Sequence, residues 1–90
     1  MIAFQIAFIY HDIEYKAYVH RIGAVQNATT QYHIHDVTPK VENLPNPWMF
    51  ISNPEKKEFT FSNCLQHNDM AIPIINAIYN ECMNNNIPIH

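Results

Sequence analysis

The opening stretch of this chain leaves few ways to fold it. Both alternating sets of residues 2–10 are apolar, with Phe4, Ile6, Phe8 and Tyr10 on one side and Ala3, Ala7 and Ile9 on the other, and Gln5 the single polar interruption. A period of two marks a strand, and a strand that is apolar on both faces belongs where something covers both. Directly after it, His11-Asp12 separates Tyr10 from Ile13. Both residue types tolerate positive φ better than most, so a two-residue hairpin turn fits there. A second strand is then expected over about 13–22, and the turn sets its register: Tyr10 opposite Ile13, Phe8 opposite Tyr15, Ile6 opposite Ala17, Phe4 opposite Val19. The bulky apolar side chains converge on one face, as a correct register requires.

Gly23, the only glycine, opens a polar connection through Gln26, Asn27, Thr29 and Thr30 to a third strand at 31–37. If Tyr32 and Ile34 point inward there, His33 and His35 point outward. Pro39, Pro45 and Pro47 forbid a regular ladder between 39 and 47, which is expected to be an extended loop. A short strand follows at 48–51, then a turn at Asn53-Pro54-Glu55-Lys56, then an alternating strand at 58–62 with one wet side. Ala71, Ile74, Ile75, Ile78, Tyr79 and Cys82 recur at the three-and-four spacing of an amphipathic helix, placed at about 70–84. Asn68 or Asp69 would cap it, Pro73 would fall in its first turn, and Asn84-Asn85-Asn86 would end it before a tail at 87–90. The expected architecture is α+β: one domain over 1–90, an antiparallel meander of four to five strands, and one C-terminal helix packed on one face.

Composition narrows the function. Ninety residues make one domain with a thin core, burying roughly 60% of the unfolded surface. With 48% apolar and 14% charged residues the chain is too hydrophobic for disorder, and one glycine is too few for a phosphate-cradling loop. Five Lys and Arg stand against eight Asp and Glu, a formal charge of −3, so the basic footprint for duplex nucleic acid or anionic lipid is missing. The apolar N-terminus lacks a preceding basic residue and a small-residue cleavage site, and no apolar stretch reaches the roughly 20 residues of a membrane helix. Cys64 and Cys82 are too few for a disulfide scaffold, so free thiols and a cytoplasmic location are expected. Without secretion the triplet Asn27-Ala28-Thr29 is loop polarity and no glycosylation site.

Alternation places Lys16, Tyr18, His20, His33 and His35 together on the face opposite Phe4, Tyr15, Val19, Tyr32 and Ile34. A His-x-His pair sets two imidazoles about 7 Å apart on one side of a strand, a spacing that metal sites use. His20, His33 and His35 are therefore the candidate ligands for zinc, copper or nickel, with Cys64 and His67, a Cys-x-x-His pair followed by Asp69, as a second candidate set. Catalysis finds no constellation. No glycine elbow precedes Ser52 or Ser62, and Asp12, Glu14, Asp36, Glu55 and Glu58 offer no acid and base pair. The chain reads as non-enzymatic and without a cofactor.

Tyr10, Tyr15, Tyr18, Tyr32, Trp48, Phe50, Phe59 and Phe61 on a curved sheet would suit the stacking of single-stranded bases. In outline, a meander followed by one helix resembles the single-strand-binding Whirly and PUR-type domains. Their motifs are absent, no site residue carries over, and the scarcity of Lys and Arg makes nucleic acid an unfavourable partner. One helix of about fifteen residues covers only one face of such a sheet, which leaves Ile9, Tyr18, Ile22 and Val37 uncovered on the other. The leading expectation is a protein-interaction module associating through that open face as a homodimer. A histidine-based metal-binding or pH-sensing domain is the alternative, and single-strand binding the third.

Overall fold

A computed structural model describes residues 2–23, 29–64 and 66–88. Asn27 and Ala28 of the triplet, and the last two residues of the tail, lie outside them. Five strands, β1 (Ile2–Tyr10), β2 (Ile13–Gly23), β3 (Thr30–Thr38), β4 (Trp48–Asn53) and β5 (Glu58–Phe61), form one antiparallel sheet in which neighbours in sequence are neighbours in space. One turn of 3-10 helix at Asn68–Met70 leads into a single α-helix, α1 (Ala71–Asn84), packed on one face. The α+β meander with a C-terminal helix is what the pattern predicted. The strands run one or two residues longer than their apolar cores in β2, β3 and β4.

The first hairpin has the expected register, with Tyr10 opposite Ile13, Phe8 opposite Tyr15, Ile6 opposite Ala17 and Phe4 opposite Val19. His11 (φ 50°) and Asp12 (φ 63°) both adopt the left-handed region, the conformation whose twist matches two antiparallel strands joined by two residues. The converging face is the core: Ile6, Tyr32, Ile34, Trp48 and Phe50 of the sheet and Ile74 and Ile78 of α1 are almost wholly inaccessible to water.

β3 departs from simple alternation. Lys16 pairs with Thr38 but Tyr18 pairs with His35, so two steps along β2 are matched by three along β3. The extra residue is Asp36, in the left-handed region at φ 55°. This is a β-bulge, and counting by twos fails beyond it because one inserted residue exchanges the two faces. Val37, expected on the open face, therefore turns to the helix side and packs against the core.

Helix entry also differs from expectation. Neither Asn68 nor Asp69 caps α1; Met70 occupies the cap position with no side-chain hydrogen bond. Asn68 is engaged elsewhere: its Oδ1 accepts the Cys64 N–H at 2.7 Å and its Nδ2 donates to Asn63 Oδ1 at 2.7 Å. The helix ends as the asparagines suggest. Asn86 sits at φ 55°, the Asn86 N–H bonds the Met83 carbonyl at 3.4 Å, and the Ile87 N–H bonds the Cys82 carbonyl at 2.8 Å, the paired bonds of a Schellman stop. Ile87 then packs against the core, and Arg21 Nη2 donates to the Pro88 carbonyl at 2.6 Å.

Candidate interaction surface

The face that α1 leaves open is built from the other half of each strand's alternation. Cross-strand pairing lays out its centre in rows: Gln5, Tyr18 and His35; Ala3, His20, His33 and Met49; Ile22, Gln31, Ile51 and Thr60. Tyr18 is 50% exposed and Ile22 37%. The His20 and His35 rings meet edge to face with centroids 4.6 Å apart, and Tyr18 stacks on His35 at 6.0 Å. Met49 and Ile51, half-buried beside His33, complete a patch of apolar and imidazole surface. Charged side chains stand at its ends, Glu14 and Lys16 on β2 and Glu58 on β5.

The imidazoles are individually anchored. His35 Nδ1 lies 2.8 Å from Asp36 Oδ2, and His33 Nε2 lies 3.1 Å from Gln31 Oε1. The bulge makes the first contact possible by turning Asp36 out of the ladder beside the ring it bonds. His35 Nε2 is shielded from solvent and is the one buried side-chain nitrogen or oxygen among the described residues that lacks a hydrogen-bond partner. A buried polar atom left this way costs about 1–3 kcal/mol.

Of the four predicted interface residues, Tyr18 and Ile22 join the patch, and Ile9, 67% exposed, stands at a corner beside Glu14. Val37 lies on the other side of the sheet. Sequence reasoning passed over Met49 and Ile51, although alternation with the buried Trp48 and Phe50 carries their signal.

The predicted ligands divide into two separated groups. His20, His33 and His35 share the open face, while Cys64 lies in the core on the helix side, its thiol 3.8 Å from the Asn43 carbonyl. Among the described residues no three His, Cys, Asp or Glu side chains come together as a metal site would require. His67 belongs to a cluster at the hairpin tip. There the Tyr10 hydroxyl donates to Asp69 Oδ1 at 2.7 Å, His11 stacks on Tyr10 at 3.9 Å with its Nε2 3.7 Å from Asp69 Oδ2, and His67 meets the Tyr10 ring edge at 6.5 Å.

That cluster shifts two titrations. The hydrogen bond from Tyr10 holds the Asp69 carboxyl below its usual range, and accepting that bond keeps the Tyr10 proton on, pushing its pKa up to about 12. Elsewhere, burial raises Tyr32 to about 12 against the opposing bond from Arg21 Nε at 3.3 Å, and burial raises the Cys82 thiol. Neither cysteine is bonded to another, and both are buried. No helix among the described residues is long and apolar enough to cross a membrane. No protein-family model, curated protein or solved structure matches the chain.

Proposed function

We propose that the chain is a non-enzymatic protein-interaction module that associates with a second copy of itself through the open face of its sheet. The observation that carries this reading is the patch of Tyr18, His20, Ile22, His35, Met49 and Ile51, surface of low charge on the side α1 does not cover. Its anatomy is that of an interface: aromatic residues and methionine toward the middle, charge confined to the rim. Tyr18 supplies a half-exposed anchor whose ring is already held by His35, so docking it costs little side-chain entropy.

Size supports the same occupant. The five strands average just under eight residues, about 26 Å, and span about 19 Å side by side, so two such faces laid together remove roughly 1,000 Å² from water, the least a specific interface is expected to bury. Affinity in the micromolar range is expected. A polyanion is a poorer fit, because Lys16 is the only Lys or Arg on the described part of this face; Arg21 turns to the helix side and bonds Tyr32 and Pro88.

The test is the mass of the protein in solution by sedimentation at micromolar to millimolar concentration, for the native chain and for Tyr18→Glu. The native protein is expected above 10.5 kDa and the variant at a lower mass, with unchanged circular dichroism. A native chain at 10.5 kDa throughout, or a variant that associates as well as the native chain, overturns the reading.

A further inference from the structure

The two edges of the sheet are built differently. β5 is four residues long, begins at Glu58, and follows a turn carrying Glu55, Lys56 and Lys57, so it is short and charged as protected edges are. β1 has none of these devices. It is nine residues of unbroken register, Ile2–Tyr10, with no charged residue, no proline and no bulge.

The hairpin determines which backbone groups of β1 are free. Tyr10 and Ile13 flank a two-residue turn and so exchange both of their hydrogen bonds. Every second residue back along the strand, Phe8, Ile6, Phe4 and Ile2, therefore bonds β2, and Ala3, Gln5, Ala7 and Ile9 aim their N–H and C=O groups away from it. No other described strand pairs with that edge, and these four residues are exposed. The backbone of α1 runs closest to β1, on the core side of that strand, and its Cys82 and Tyr79 side chains reach on to Tyr32 of β3 and, at 5.5 Å, to the Phe59 ring of β5, while Ala3, Gln5, Ala7 and Ile9 stay exposed.

We propose that β1 pairs antiparallel with β1 of a second copy, about a two-fold axis at Ile6. In that register Ala3 stands opposite the second copy's Ile9 and Gln5 opposite its Ala7, so outward-facing groups meet only outward-facing groups. All four outward N–H and all four outward C=O groups of each copy are then bonded. The side chains agree with the backbone. Phe4 meets the second copy's Phe8 on the helix side, extending the core across the seam, and no charge of either sign lies anywhere along it. Self-complementarity of this kind is what an isologous contact requires, and it favours a second copy over an unrelated strand.

The seam is distinct from the face contact proposed above, and the two are compatible. Edge pairing turns about an axis normal to the sheet, whereas face packing turns about an axis lying in its plane. Perpendicular two-folds close into a tetramer of two stacked ten-stranded sheets.

Register-specific cross-linking tests the seam. A mixture of Gln5→Cys and Ala7→Cys proteins, in a chain whose native Cys64 and Cys82 are buried, places thiols on residues about 5.5 Å apart at Cα, within disulfide reach. The mixture is expected to form more disulfide-linked dimer than either variant alone, and to do so in a Tyr18→Glu background, where the face contact is removed. Gln5→Pro is expected to lower the solution mass while leaving circular dichroism intact, because the Gln5 N–H serves no bond within the chain. Equal cross-linking by single variants and mixture, or an unaltered mass in folded Gln5→Pro, overturns the seam. Failure of the face contact reads out separately, as an unaltered mass in Tyr18→Glu.

Discussion

Tyr10 and Asp69 are 59 residues apart, yet their 2.7 Å hydrogen bond ties the hairpin tip to the entrance of the helix. The bond needs a protonated phenol and an ionised carboxyl. Asp69, with its pKa lowered, contributes stability above its usual value of 3.8, and that contribution is lost as pH falls through the lowered value. Tyr10, with its pKa raised, contributes below 10.0, and its part is lost as pH rises from there toward about 12. Tyr10→Phe is expected to flatten the melting temperature profile at both ends of the pH scale; a profile parallel to that of the native protein would show that the bond carries no stability. Neither residue was legible as a partner of the other, because a contact between a turn and a helix entrance leaves no periodic trace. The His20, His33 and His35 face was legible, since it needs only alternation and one hairpin register. Asp36 marks where that legibility stops. Its left-handed φ of 55° admits Gly, Asn and Asp far better than a β-branched residue. Asp36→Val is expected to cost about 1–2 kcal/mol in denaturant unfolding. An unchanged midpoint would mean that the bulge relaxes without strain.

At the scale of elements, β1, β2 and α1 were readable because their patterns are long. β1 and β2 verify each other through cross-strand pairs, and α1 shows its core stripe as Ala71, Ile74, Ile78 and Cys82. The helix cap was not readable. Asn68 and Asp69 both suit an N-cap in isolation, but Cys64 and Tyr10 compete for their side chains and win. Ile78 is fully buried against the sheet, so Ile78→Ala is expected to destabilise by about 2–5 kcal/mol, read from the same denaturant midpoint. A loss well below about 1 kcal/mol would place α1 away from the core. Val37 belongs to this scale as well. Its side changed because an element that looked like a single strand contains an inserted residue.

Across the whole molecule, the sheet is covered on one face and open on the other, with one protected edge and one bare edge. Both bare surfaces include part of β1, which explains why its sequence is apolar on both alternating sets: Phe4, Ile6 and Phe8 serve the core, while Ala3, Ala7 and Ile9 border the seam and the open face. The most direct measurement of the central claim is a dilution series followed by methyl NMR, with Ile22, Met49 and Ile51 reporting the open face and Ile72 and Met83, exposed on α1, serving as internal controls. The account predicts that the open-face methyl signals move with concentration while those of Ile72 and Met83 stay still; signals that all stay still, or movement confined to the helix pair, would contradict it.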